Sequence, residues 1–191
     1  ATDGVPTGPD NLVVRAARAV LPSDAGVAIA LRKQVPPGAG LGGGSSDAAA
    51  VLRAMGELYG VDPNAVERAA AALGSDVPFC LRGSPAWMRG RGEVIEAVQL
   101  AEPVHVLVVV PPFGLSTPAV YQAWDALGGP SASRSVSPPA GAAALVDRLA
   151  NDLELAAAHV EPRWAGFRDA LESAAETPAL LAGSGSACWL A

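Results

Sequence analysis

A run of small residues in the first quarter of the chain has the composition of an anion-binding loop. Residues 36–50 read PPGAGLGGGSSDAAA. The glycines let a ligand approach the backbone closely and permit positive φ angles without steric cost. Apolar residues at helical spacing follow, which predicts a helix whose unpaired N–H groups and dipole favour an anion. Ser45, Ser46 and Asp47 are expected to cap that helix.

Two common phosphate motifs fit this loop poorly. A P-loop requires a lysine directly after its last glycine, whereas Gly44 is followed by Ser45 and Ser46. A dinucleotide-binding unit requires an acidic residue at the end of its second strand, whereas Asp62 begins a predicted helix. What remains is a loop that holds phosphate oxygens through backbone N–H groups and hydroxyls, with a metal ion held through Ser46 or a carboxylate as an option.

Three further polar positions have an ordinary structural interpretation beside a functional one. Asp76 lies in the turn 75–78, where an acidic side chain most often bonds its own backbone. Asn11 precedes a helical pattern and is expected to be its N-cap. The glycine turn 183–186 is most often a hairpin connection, and a role near a ligand is the alternative.

Hydrophobic periodicity predicts the elements that position these residues. Alternation predicts a strand at 27–31 that leads into the loop and a hairpin at 84–98 that bends at 89–93. A β-branched run predicts a buried strand at 104–110. The remaining predictions are helices at 12–21, 51–59, 63–73, 141–158 and 162–175, a short helix from 117, a linker at 128–140, and strands at 179–182 and 187–191.

Composition limits the class of protein and its partners. Half of the 191 residues are apolar, which is enough for a packed core. The net charge is −6 and basic runs are lacking, so nucleic-acid surfaces and polybasic membrane contacts are disfavoured and small-molecule partners are expected. Two cysteines, Cys80 and Cys188, favour buried thiols in a reducing compartment, hence a cytoplasmic location.

Several motifs taken together resemble the GHMP kinases. Residues 36–49 are similar to the second motif of that superfamily, and the triple glycine before Ser-Ser-Asp-Ala-Ala resembles its 4-diphosphocytidyl-2-C-methyl-D-erythritol kinase family. Other stretches match in the same order as in that family: NLVVRAA at 11–17, LGSDVPF at 73–79, GRGE at 90–93, PPFGLST at 111–117, NDLE at 151–154 and GSGS at 183–186.

The resemblance implies an α+β, two-layer GHMP kinase fold. The implied domains are a ribosomal-protein-S5-like N-terminal, ATP-binding domain at 1–102 and a ferredoxin-like C-terminal domain at 103–191. The family's opening strand with its lysine, the following Tyr-His pair and the family's last strands have no match here, so we expect a fold truncated at both ends. Lys33 matches the family's strand lysine ahead of the loop instead.

The resemblance also implies a reaction, in which the γ-phosphoryl group of ATP is transferred to the 2-hydroxyl of the cytidyl diphosphate alcohol. Asp76 would be the general base, Asn11 would lie near the adenosine, and Mg²⁺ would accompany the ATP. The alternatives are another small-molecule GHMP kinase or a catalytically incomplete nucleotide-binding fragment. The residues expected to bind the ATP phosphates are Pro36, Pro37, Gly38, Ala39, Gly40, Leu41, Gly42, Gly43, Gly44, Ser45 and Ser46.

Overall fold

The computed structural model describes residues 5–100, 102–129 and 150–191, and the chain forms two compact units. The first unit contains Ala1–Gln34 and Gly42–Gln99, and the second contains Val35–Leu41 and Leu100–Ala191. The glycine loop is therefore divided, because its first part packs with the second unit and its last residues belong to the first. The assignment of these units to the domains expected at 1–102 and 103–191 remains a prediction.

The first unit is mainly helical. Its elements are α1 (Leu12–Val20), α2 (Gly43–Tyr59), α3 (Pro63–Leu73), α4 (Val77–Arg82) and an antiparallel hairpin of β1 (Ala86–Arg89) and β2 (Val94–Ala97). Helix α2 packs against the other three helices. Fully buried Ala16, Ala48 and Ala49 leave little side-chain volume between helices, and Leu52 fills the centre of this core. Helices α1 and α3 and the hairpin agree with the predictions, and α2 includes the predicted 51–59 but begins earlier, at Gly43. Helix α4 begins within the predicted turn 75–78 and was not predicted as a helix.

Local signals in the sequence set the helix ends of the first unit. The Asn11 side chain accepts a hydrogen bond from the Val13 N–H at 2.9 Å, so its predicted N-cap role is confirmed. Asp62 caps α3 in the same way, directly before Pro63 at the first helical position. Helix α2 ends at Gly60 in the left-handed conformation, with its N–H bonded to the Gly56 carbonyl.

The second unit packs helices on a small antiparallel sheet. Its elements are β3 (Leu107–Val109), α5 (Thr117–Ala126), α6 (Glu154–Val160), α7 (Arg163–Ala175), β4 (Leu180–Leu181) and β5 (Cys188–Leu190), with strand order β3-β5-β4. Trp164 of α7 is fully buried in its core, and its indole N–H donates to the Ser186 carbonyl at 3.2 Å. Helices and antiparallel strands in one chain confirm the α+β class.

One strand prediction is wrong and another is right only in part. Residues 27–31 form no strand, since none of the described residues pairs with them and a ladder needs a partner. Of the buried strand predicted at 104–110, Leu107–Val109 form a strand, but Leu107 is 61% exposed; among the described residues β3 pairs only with β5, so a neighbouring strand flanks it on one side only. Of the helix predicted at 141–158, residues 154–158 belong to α6, and 141–149 lie outside the described residues, as does most of the linker at 128–140.

Across residues 5–100, 102–129 and 150–191, no helix has both the length and the apolar composition needed to cross a membrane.

The Leu52 position tests the core of the first unit. Leu52→Ala removes a fully buried side chain and leaves a cavity, so the free energy of unfolding should fall by about 2–5 kcal/mol. Leu58→Ala in the same helix is the matched control, because Leu58 is 72% exposed and its loss should cost less than about 0.5 kcal/mol. Urea unfolding of both variants measures the difference, and equal losses would contradict the assigned core.

Candidate functional site

The first part of the glycine loop is fixed by backbone hydrogen bonds within the second unit. The carbonyl of Gly38 accepts from the Ser186 N–H, and the carbonyl of Ala39 accepts from the Ala187 N–H, both at 3.1 Å. The Ser186 hydroxyl also donates to the Gly38 carbonyl at 3.3 Å. The loop is therefore attached to the β4–β5 connection through main-chain groups that do not depend on the loop's side chains.

Gly40 allows the loop and the β4–β5 connection to approach each other closely. It has a φ of 75°, and a Cβ at this position would overlap the Ala182 carbonyl oxygen and lie 2.6 Å from the Gly185 nitrogen. A Cβ at Gly185 would in turn overlap the Gly40 nitrogen. The turn 183–186 is a hairpin connection, as expected, and it also supports the loop by backbone-to-backbone packing.

The last part of the glycine loop begins helix α2 in the first unit. Gly42 is the N-cap residue with a φ of 64°, and its carbonyl accepts from the Ser46 N–H at 2.9 Å as the first bond of the helix. The N–H groups of Gly43, Gly44 and Ser45 have no acceptor among the described residues. Three donors and the positive end of a 17-residue helix dipole therefore lie together at this helix start.

The predicted capping roles of Ser45, Ser46 and Asp47 are wrong. The left-handed Gly42 starts the helix at Gly43, so all three residues lie inside its first turns and make no N-cap bond. The Ser46 hydroxyl donates to the Gly43 carbonyl at 3.0 Å, and the Asp47 carboxylate pairs with Lys33 Nζ at 2.5 Å. This ion pair is partly buried, since the Lys33 side chain is 11% exposed.

A cavity of about 220 Å³ lies beside α1 in the first unit. Asn11 and Lys33 supply polar groups to its wall, while its other lining residues are mostly apolar. The Asn11 amide also donates to the Pro6 carbonyl at 2.6 Å, so both ends of this side chain are held in place. The remaining lining residues are Val5, Pro6, Thr7, Val13, Val14, Ile29 and Leu31.

Asp76 occupies the N-cap position of the short helix α4, but its side chain makes no capping hydrogen bond. The expectation that it bonds its own backbone is therefore wrong for the carboxylate. The side chain is exposed, and within the described residues it forms no ion pair. Burial, and then the negative charge of Asp76, raise the pKa of the Cys80 thiol one helical turn away.

The bend of the β1–β2 hairpin packs against the Asp76 turn. A Cβ at Gly92 would lie 2.6 Å from the Ser75 carbonyl oxygen and 3.0 Å from Met88 Cε. The Glu93 carboxylate accepts from the Arg91 N–H at 2.6 Å, and hydrogen bonds to its own N–H and to that of Arg91 lower its pKa. The residues before and after Gly92 therefore hold a bend that touches the backbone directly before Asp76.

Each unit thus holds part of the predicted site. Asn11, Asp76 and the helix start from Gly42 to Ser46 belong to the first unit, and Pro36 to Leu41 belong to the second. Sequence reasoning gave no role to Gly92, which supports the Asp76 turn, or to Asn151, whose side-chain amide donates to the Gly183 carbonyl in the turn 183–186. Their motifs, GRGE and NDLE, were visible in the sequence, but no pattern indicated what they touch.

Several known proteins are similar to this chain in sequence. Residues 11–84 match the family model of the GHMP kinases N terminal domain. The chain is 39% identical over 195 residues to a 4-diphosphocytidyl-2-C-methyl-D-erythritol kinase from Moorella thermoacetica, which covers 96% of this chain and 68% of the relative. It is 41% identical to the protein of that name from Pelotomaculum thermopropionicum, over 95% of this chain and 67% of the relative.

A solved structure is also similar. The crystal structure of 4-(cytidine 5'-diphospho)-2C-methyl-D-erythritol kinase matches with a TM-score of 0.74 at 36% identity, over 97% of this chain and 70% of that chain. The chain spans about two thirds of the length of the curated relatives it matches.

The packing of Gly40 gives a stability prediction. Gly40→Ala must displace backbone atoms as well as strain φ, so it should lower the free energy of unfolding by about 3 kcal/mol or more. Gly128→Ala in the same unit is the matched control, since Gly128 also has a positive φ of 93° but no atom of the described residues within 4 Å of its Cβ. That variant should lose only about 1–2 kcal/mol in chemical unfolding. Equal losses would mean that close packing at Gly40 is unimportant.

Proposed function

This chain belongs to the 4-diphosphocytidyl-2-C-methyl-D-erythritol kinase family of GHMP kinases, and from that membership we infer how its residues share the work of the reaction. The protein is an ATP-dependent kinase that phosphorylates the 2-hydroxyl of 4-diphosphocytidyl-2-C-methyl-D-erythritol in the non-mevalonate isoprenoid pathway. The observation that carries the inference is the start of α2, where three N–H groups without acceptors follow a glycine loop.

The ATP phosphates are held by the loop from Pro36 to Ser46. Phosphate oxygens accept hydrogen bonds from the free N–H groups of Gly43, Gly44 and Ser45, and the helix dipole favours their charge. The hydroxyl of Ser45 is available as a further donor, while Ser46 already donates within the helix. This chain is acidic overall, so the affinity for an anion comes from this local arrangement.

The adenosine occupies the cavity beside α1. Its mostly apolar wall suits the faces of a purine ring, and cofactor sites typically combine such a wall with few polar groups. Asn11 would contact the nucleoside from a side chain that is already fixed by Val13 and Pro6. Lys33, which forms an ion pair with Asp47, is the one cationic side chain among the residues that line the cavity.

Asp76 is the general base. Its exposed carboxylate accepts the proton of the substrate 2-hydroxyl as that oxygen bonds to the γ-phosphorus and the bond to the bridging oxygen of ADP breaks. A carboxylate already engaged in a cap bond would be less available for this step, and Asp76 makes none. Positioning and charge stabilisation by the loop supply most of the remaining acceleration.

Mg²⁺ is expected to arrive with the nucleotide. The described part of the chain holds no group of three or more His, Cys, Asp or Glu side chains that could bind a metal ion. Mg²⁺ usually needs only one or two protein ligands beside substrate phosphates and water, so an ion carried by ATP does not require a group of three. The expected partners are these small molecules, and two free thiols at Cys80 and Cys188 support a cytoplasmic location.

A substrate panel tests the function. The full-length protein is assayed with MgATP and, separately, the cytidyl diphosphate alcohol, mevalonate and homoserine. We expect ATP-dependent phosphorylation of the first compound. Turnover of mevalonate or homoserine in its place would favour another GHMP kinase, and nucleotide binding without any turnover would favour the incomplete fragment.

The base assignment predicts the effect of one substitution. Asp76→Asn keeps the shape of the side chain but cannot take the proton, so kcat should fall by about 10²- to 10⁴-fold. ATP affinity, measured by calorimetry, should stay within about twofold because the nucleotide site is intact. Asp24→Asn is the control, since it removes an exposed carboxylate of the same unit and should leave kcat unchanged. A near-normal kcat for Asp76→Asn would remove Asp76 from the mechanism.

The contact between Gly92 and Ser75 predicts a second effect. Gly92→Ala places a Cβ against the Ser75 carbonyl, so the Asp76 turn must shift and kcat should fall by about tenfold or more. Gly60→Ala in the same unit introduces similar φ strain at 62°, with no atom of the described part of the chain within 4 Å of the new Cβ, and should change only the melting temperature. Matched losses of kcat in both variants would show that the effect is general destabilisation rather than a displaced base.

A further inference from the structure

Side chains of the NDLE motif at 151–154 bond backbone groups far away in the sequence. Asparagine followed three residues later by glutamate is the sequence signature of a helix start, where the two side chains normally bond each other's backbone. Asn151 Oδ1 does accept from the Leu153 N–H at 2.9 Å, next to helix α6. The Asn151 NH₂ group and Glu154 Oε1, however, bond a strand and turn about 30 residues further along the chain.

Asn151 and Glu154 together hold the outer edge of β4. The Asn151 amide NH₂ donates to the Leu181 carbonyl at 2.9 Å, and Glu154 Oε1 accepts from the Leu181 N–H at 2.9 Å. Strand β4 is the last strand of the sheet β3-β5-β4, so Leu181 has no further strand for these groups among the described residues. The two side chains therefore satisfy backbone groups that a neighbouring strand would otherwise bond.

The Asn151 amide reaches beyond the strand to the turn. The same NH₂ group donates to the Gly183 carbonyl at 2.7 Å. Gly183 contacts the glycine loop directly, since a Cβ there would lie 2.9 Å from the Gly40 carbonyl oxygen. Three and four residues later, the N–H groups of Ser186 and Ala187 bond the carbonyls of Gly38 and Ala39. One amide group thus fixes the turn on which the loop rests, and all of these contacts lie within the second unit.

We propose that Asn151, supported by Glu154, is a positioning residue for ATP binding, acting through the turn 183–186 on the loop Val35–Leu41. The proposal rests on the proposed function of that loop as the ATP-phosphate site. Asn151 acts on the nucleotide only through the turn and the loop. It sets how firmly the turn holds the loop carbonyls, and a loosely held loop must be ordered when the phosphates bind, which lowers affinity.

Glu154 is itself held in place. Arg168 of α7 lies beside its carboxylate, with Nη1 3.5 Å from Oε2. The same guanidinium lies over the Trp164 ring, 5.3 Å from its centre, and Trp164 bonds the Ser186 carbonyl. The turn is therefore held from two sides, by Asn151 at Gly183 and by Trp164 of α7 at Ser186, while Glu154 of α6 holds Leu181 directly before it.

The test is Asn151→Asp in the full-length protein. This change keeps an oxygen for the Leu153 N–H but replaces the NH₂ group with an oxygen that faces two carbonyl oxygens. In the nucleotide-free protein, hydrogen exchange at the Ser186 and Ala187 amides should accelerate by about tenfold. The Kd for ATP should rise by about five- to tenfold, while the KM for the alcohol substrate should stay within about twofold.

The control is Gln122→Glu, which makes the same amide-to-acid change on an exposed side chain of α5 in the same unit. It should leave both exchange and ATP affinity unchanged. If Asn151→Asp does not fold, Asn151→Ala removes the same two donors without adding charge and is measured instead.

The outcomes separate this proposal from the proposed function. Unchanged amide exchange, or faster exchange with an unchanged Kd for ATP, overturns the positioning role. A wild-type protein that does not bind ATP overturns the function assigned to the loop and with it the positioning role. Faster exchange together with weaker ATP binding supports both.

Discussion

The contact between two glycine backbones is the constraint on which the second unit depends. Gly40 and Gly185 approach so closely that a side chain on either would overlap the other's main chain. This approach brings Ser186 and Ala187 within hydrogen-bonding distance of the loop carbonyls. The same turn is also held by side chains outside the loop. Asn151 donates to the carbonyls of Leu181 and Gly183, and the buried Trp164 donates to the carbonyl of Ser186. The loop is thus shaped by packing of its backbone rather than by its own side chains.

In the first unit, packing along helix α2 keeps the helix in place, while backbone N–H groups at its start are left without hydrogen-bond acceptors among the described residues. Helix α2 is anchored along its length by alanine packing and by Leu52, so its first turn does not need a side-chain cap for stability. The N–H groups of Gly43, Gly44 and Ser45, which have no acceptor in the part of the chain that the structure describes, are available for a ligand. Asp47, which a sequence pattern assigns to capping, instead restrains Lys33 at the cavity wall.

Sequence patterns predicted the local elements well where a signal was contained within the element. The caps at Asn11 and Asp62 and the bend at 89–93 were recognisable because each acts on its nearest neighbours. The failures have a common cause. Residues 27–31 carry the right alternation but have no partner strand among the described residues, and residues 104–110 are apolar but lie at an edge. Strand formation and burial are decided by neighbours that a local pattern does not contain.

The sequence by itself determined the family of this protein, because its motifs occur in the order found in the GHMP kinases. The roles predicted for the glycine loop and for Asp76 follow from that resemblance, since the spacing of the residues alone fits several kinds of anion site. Only the tertiary structure decided what supports them. Gly92 touches Ser75, Asn151 holds Gly183, and the loop itself is divided between two packed units. Such contacts join residues far apart in the chain, and their closeness depends on backbone packing that no spacing in the sequence records.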